Sequence, residues 1–75
     1  MNTAEIAQRA NTISRLSTRR YAGRLTEQST RDDLIAWLCW ADRNGIWTDA
    51  ECVAEQMDPM TTDDAWDHVR RMSED

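Results

Sequence analysis

The longest apolar run of the chain lies within residues 30–43, TRDDLIAWLCWADR. Apolar side chains in this segment occupy most of the circumference of a helix, which is typical of a helix that is buried on nearly every side. Thr30 is a good N-cap residue, because its hydroxyl can accept a hydrogen bond from an unpaired amide of the first turn, and Asp33 completes the motif. We therefore predict a central helix over residues 31–43.

Three further segments begin with the same kind of helix-start signal. Asn2, Thr48 and Thr61 are each followed, three residues later, by an acidic residue that lies at the positive end of a helix dipole. The apolar spacing after each of these residues fits a helical period. The predicted helices cover residues 3–21 or 3–22, 49–57 and 62–72.

The chain has 75 residues and no segment with strand periodicity, so we predict a single all-α unit. Its expected architecture is a compact three-helix core over residues 30–75, preceded by an Arg-rich helix and connector over residues 1–29. The first helix could pack on this core, extend from it or mediate self-association. The predicted core residues are the apolar positions of the last three helices: Leu34, Trp37, Leu38, Trp40, Val53, Ala54, Met57, Trp66 and Val69.

The charge of the chain is divided between its two parts, and no residue is lysine. Residues 1–31 hold six arginines and two acids, for a net charge of +4. Residues 32–75 hold three arginines and twelve acids, for a net charge of −9. Small domains are soluble at a net charge of magnitude about 2–8, so the acidic surplus suggests a partner as well as solubility.

The leading functional hypothesis is a small non-enzymatic regulator or inhibitor whose acidic helical surface binds a basic protein. Its composition is similar to that of short phage and mobile-element inhibitors, such as anti-CRISPR and anti-restriction proteins that mimic nucleic acid. The candidate partner-binding residues are Asp63, Asp64, Asp67, Glu51 and Glu55. The alternative is that these acids only solubilise the protein or stabilise their own helices, as an Asp67–Arg71 pair one turn apart would do.

Residues 48–72 resemble the helix-turn-helix pattern of DNA-binding proteins. Ala54 matches the small residue in the middle of the first helix, and Trp66 and Val69 match the apolar pair of the second. The resemblance implies a three-helix DNA-binding transcriptional regulator. The second helix is acidic, however, and DNA would repel it, so this helix is not expected to read bases.

The arginines of the first part offer a second route to nucleic acid. The candidate contacts to phosphate, or to an acidic partner, are Arg15, Arg19, Arg20 and Arg24, because guanidinium groups bind both anions bidentately. The same arginines could instead contact the acidic part of this chain. A third hypothesis is a structural homodimer, in which a second copy covers the apolar stripe of Ile6, Ile13 and Leu16 on the first helix.

The chain contains few residues suited to catalysis or to binding a metal or cofactor. His68 is its single histidine, and Asp64 one turn earlier would complete only half of a metal site. Residues 42–51 superficially match a calcium loop, but the first ligand position falls on Trp40. No nucleophile–histidine–acid spacing and no phosphate loop is present, so we expect neither an enzyme nor a cofactor.

The two cysteines, Cys39 and Cys52, lie in apolar helical segments and are expected to be reduced. We find no signal-peptide pattern and no apolar run of the length that spans a bilayer. The sequence therefore predicts a cytoplasmic protein with no membrane partner.

Overall fold

The computed structural model describes residues 2–16 and 24–73, and within residues 13–16 it describes the backbone alone. The described residues form helices and loops without a strand, which confirms the predicted all-α class. The helices are α1 (Thr3–Leu16), α2 (Arg31–Ala41), α3 (Asp49–Ala54) and α4 (Thr62–Ser73). The predicted continuation of the first helix to residue 21 or 22 lies outside the described residues.

All four helices begin at the N-cap residues that the sequence indicates. Asn2 Oδ1 accepts a hydrogen bond of 2.9 Å from the amide of Glu5. Thr30 and Thr48 each form a complete capping box with the acid three residues later. At α4, the Thr61 hydroxyl accepts from the Asp64 amide at 3.1 Å, and Asp64 accepts from the Thr61 amide at 3.2 Å. These bonds satisfy amides that the helices leave unpaired.

The core of the molecule lies where α1 and α2 both pack on α4. The predicted core residues Leu34, Trp37, Leu38 and Val69 are fully buried, and Trp40 and Trp66 are half-buried against them. The other core residues come from α1, from α4 and from the connectors: Ile6, Ala7, Ala10, Leu25, Met60 and Ala65. Residues on both sides of the expected boundary at residue 29 therefore contribute to one core.

A single asparagine side chain attaches the connector after α1 to that helix. Asn11 Nδ2 donates to the carbonyl of Leu25 at 2.8 Å, and Asn11 Oδ1 accepts from the amide of Leu25 at 3.0 Å. The amide side chain thus satisfies both backbone groups of a residue that is almost wholly buried. Leu25 and α1 consequently enter the core together.

The predicted three-helix core of α2, α3 and α4 is not confirmed, because α1 takes the place expected for α3. Within α3 only Cys52 is buried. Val53, Ala54 and Met57, which the apolar spacing predicts as core residues, are exposed, Val53 to 66% and Met57 to 51%. Their exposure follows from packing, since no Cα atom of α3 lies within 8 Å of a Cα atom of another helix.

The end of α3 also differs from the sequence prediction. Gln56 adopts a left-handed conformation with φ of 59°. Its amide donates to the Val53 carbonyl at 3.1 Å, and the Met57 amide donates to the Cys52 carbonyl at 2.8 Å. This pair of bonds is the Schellman motif, in which glycine usually occupies the left-handed position. Because glutamine gives no such signal, the sequence places the end of this helix three residues too late, at Met57.

The difference in burial between two valines gives a direct test of the core. We expect Val69→Ala on α4 to lower the free energy of unfolding by about 2 kcal/mol, because the lost methyl groups leave a cavity. Val53→Ala on α3 should change it by less than about 0.5 kcal/mol. Urea denaturation followed by circular dichroism measures both. Equal losses at the two positions would contradict the exposed placement of α3.

The left-handed residue gives a second stability prediction. Gln56→Gly should raise the free energy of unfolding by about 0.5–1 kcal/mol, because glycine adopts positive φ without the steric cost of a side chain. The matched control is Gln8→Gly in the exposed part of α1, which should lower it by about 1 kcal/mol. Thermal unfolding of the two variants measures these opposite effects. Destabilisation by Gln56→Gly would show that α3 does not end in this motif.

Candidate protein-binding surface

Contacts made by Arg31 determine where the N-terminus of α3 lies. Its Nε donates to the Met60 carbonyl at 2.6 Å, and its Nη2 pairs with the carboxylate of Asp49 at the start of α3. One guanidinium therefore joins the first residue of α2 to the first residue of α3 and to the connector before α4. Charge-assisted bonds of this kind are stronger than neutral ones, so they hold the short α3 in place.

The turn between α2 and α3 is held by Trp47. Its indole Nε1 donates to the Asp42 carbonyl at 2.8 Å, and its ring meets His68 of α4 edge-on at a centroid distance of 5.1 Å. The same indole lies against Gly45, where any Cβ atom would collide with the ring. The contacts of Trp47 thus anchor this turn to α4, although α3 itself does not reach that helix.

Three of the five candidate acids stabilise their own helices. Glu51 accepts from the Thr48 amide at 3.1 Å and from the Thr48 hydroxyl at 2.9 Å, and these bonds lower the pKa of its carboxyl. Asp64 forms the capping box of α4. Asp67 pairs with Arg70 at 2.8 Å and with Arg71 at 3.2 Å. The Arg70 hydrogen bond, followed by the charges of both arginines, outweighs desolvation and lowers the pKa of Asp67.

The other two candidate acids, Glu55 and Asp63, are exposed. Within the described residues neither carboxylate makes a hydrogen bond or an ion pair. The same holds for Asp58, which follows α3 and is also exposed. Glu51 lies on α3 and Glu55 is its C-cap residue, but neither is brought close to the acids of α4. The five candidates therefore form two separate groups.

The apolar residues exposed at α3 were missed as surface residues by the sequence analysis. Val53 and Met57 are the large hydrophobic residues that remain exposed in the described part of the chain. Their helical spacing is identical to that of core residues, so periodicity alone cannot separate a buried face from a binding face. The acids next to them, Glu51 and Glu55, are the available signal in the sequence that this part of the chain is exposed.

The structure lacks the helix packing that the helix-turn-helix resemblance implies. Ala54 should be buried where the two helices cross, but it is exposed and α3 does not pack on α4. Among the candidate nucleic-acid contacts, Arg24 is exposed. Arg19, Arg20 and the side chain of Arg15 lie outside the described residues.

The cysteines offer no reactive site in the described structure. Both are free, and Cys52 is buried. Cys39 is half-buried, and burial, followed by the charge of Glu51, raises the pKa of its thiol. A raised pKa keeps the sulfur protonated and weakly nucleophilic. Over residues 2–16 and 24–73, no three His, Cys, Asp or Glu side chains lie close enough together to hold a metal ion.

The comparisons with known proteins give no information on function. No family model, curated protein or solved structure matches the chain. In the part of the chain that the structure describes, no helix has both the length and the apolar character needed to cross a membrane.

The lowered pKa of Glu51 predicts how stability depends on pH. Its stabilising effect should be complete above the ordinary titration range of carboxyl groups, near pH 4, and should disappear as the pH falls below it. Glu51→Gln keeps a hydrogen-bond acceptor but cannot titrate. The difference in urea midpoint between wild type and Glu51→Gln should therefore shrink from pH 7 to pH 2. Glu55→Gln is the control, since that carboxylate has no such bond; an unchanged difference for Glu51→Gln would contradict its role.

Proposed function

We propose that this chain is a small non-enzymatic binding protein, a regulator or inhibitor, that docks on a basic surface of a partner protein. The observation that carries the proposal is the unpaired acidic charge at the end of α3. Glu55 and Asp58 are exposed and have no arginine in contact within the described residues. Glu51 and Asp64, in contrast, are hydrogen-bonded in the capping boxes of α3 and α4.

A surface of this kind acts through electrostatic attraction. The body from residue 32 onward has a net charge of −9, which favours encounter with a positively charged partner and disfavours encounter with nucleic acid. Such attraction raises the association rate at low salt and weakens as salt screens the charges. A groove that normally binds nucleic acid is a basic surface of the right sign, so inhibition by nucleic-acid mimicry belongs to this proposal.

The two alternative functions gain less support from the contacts described. A helix-turn-helix regulator needs the crossing of α3 and α4 that is missing here. A homodimer through the first helix needs an uncovered apolar stripe, but Ile6 is already buried, with its neighbours Ala7 and Ala10, in the chain's own core. The cytoplasmic location stays a prediction of the sequence.

The proposal predicts the effect of reversing charges that the fold does not use. Glu55→Lys combined with Asp58→Lys should weaken binding to the basic partner about tenfold or more at low salt, and by less at high salt. Asp64 and Asp67 are kept, because their reversal would damage α4 directly. The partner is first captured from a native lysate and identified by mass spectrometry, and its affinity is then measured by calorimetry with purified components.

Two controls keep this test specific. Glu27→Lys changes an exposed acid in the connector after α1 and should leave the affinity nearly unchanged. Circular dichroism of each variant checks that the helices are retained. If the double reversal binds as tightly as wild type at low salt, the acidic surface is not the binding surface.

A further inference from the structure

We propose that Val53 and Met57 form the apolar centre of this surface, and that it receives an amphipathic helix whose apolar stripe is flanked by Lys or Arg. This inference rests on the proposed function and specifies the partner's chemistry. The partner would then be held by apolar contacts with Val53 and Met57 as well as by the acidic charge around them.

The first support is the selective exposure of these two side chains. The four tryptophans and the other large apolar residues with described side chains are buried or half-buried, whereas Val53 is 66% and Met57 51% exposed. Single exposed apolar residues are common on protein surfaces, but grouped ones indicate a binding surface. Here one side chain lies in the last turn of α3 and the other follows its Schellman motif, where the fold leaves both exposed.

The second support is the way the backbone holds the pair together. The Schellman bonds keep Met57 against the last turn of α3, because its amide donates to the carbonyl of Cys52 and the amide of Gln56 donates to the carbonyl of Val53. Ala50 and Ala54 are exposed on the same helix. At 100° per residue they lie nearly opposite the buried Cys52, so this side of α3 faces away from the core. Their small side chains allow a second helix to approach closely.

The third support is the charge around this apolar face, which decides what can cover it. Glu51 borders the face on one side of α3 and Asp49 on the other, Glu55 is the C-cap residue of the helix, and Asp58 follows Met57. Of these, Asp49 has an arginine partner within the described residues. If α3 of a second copy covered the face, the acidic borders would meet and repel each other. A helix with basic flanks instead places opposite charges beside the acids while its apolar stripe covers Val53 and Met57.

The test uses the full chain and defined peptides as the partner. The first probe is a fluorescent Leu/Lys peptide with leucines at helical spacing, and the second carries serine in place of every leucine. Wild type should bind the Leu/Lys peptide about tenfold more tightly than the Ser/Lys peptide, as measured by fluorescence anisotropy. Val53→Thr combined with Met57→Gln keeps the side-chain sizes and should lose this preference for the leucine peptide.

Controls separate lost apolar contact from lost structure. Ala4→Ser, a polar substitution at an exposed position of α1, should bind both peptides as wild type does. Circular dichroism and thermal unfolding of the double variant should match wild type, because both substituted side chains are exposed. Sedimentation equilibrium should give the monomer mass for wild type.

Each contrary result has a distinct meaning. If the double variant keeps the preference for the leucine peptide, while Glu55→Lys with Asp58→Lys weakens binding of both peptides, the apolar anchor is wrong and the charge-based function stands. If wild type binds neither peptide, both the anchor and the proposed function are wrong. If wild type is a dimer that the apolar double variant dissociates, a second copy covers the face and the inferred partner is wrong.

Discussion

The packing of two helices on α4 is the contact on which the rest of this fold depends. Ala65 and Val69 of α4 are completely buried, and the small side chains Ala7 and Ala10 let α1 approach the same core. The indole of Trp37 supplies much of the buried apolar area from the other side. Because α1 and α2 together pack on α4, α3 contributes only Cys52 to the buried residues.

As a result, α3 is attached at its N-terminal end and does not pack along its length on another helix. Arg31 binds its first residue, and Trp47 holds the turn that precedes it. A helix of six residues has little stability of its own, so these contacts and its capping box maintain it. The acids of the chain consequently divide into those that cap helices, such as Glu51 and Asp64, and those that remain available for a partner.

Local chemistry made the helix starts predictable and the end of α3 unpredictable. Each N-cap is a contact between residues three apart, so Thr30, Thr48 and Thr61 reveal it in the sequence. The end of α3 depends on the left-handed conformation of Gln56, which the residue type glutamine does not predict. Of the candidate site, the sequence pointed to Glu51 and Glu55, but it placed their exposed neighbours Val53 and Met57 in the core.

The amino-acid sequence by itself determined the all-α class, the helix starts and the apolar face of each helix, because these follow from contacts within one or two turns. Only the tertiary structure decided which apolar faces are buried. Helices α1 and α3 both carry apolar residues at helical spacing, and the pattern is the same for a core and for a binding surface. The two bonds between Asn11 and Leu25 fix the connector to α1, and it is α1 that packs on α4. Those bonds join residues fourteen positions apart. A pattern within one or two helical turns therefore cannot predict that α3 is the helix left exposed.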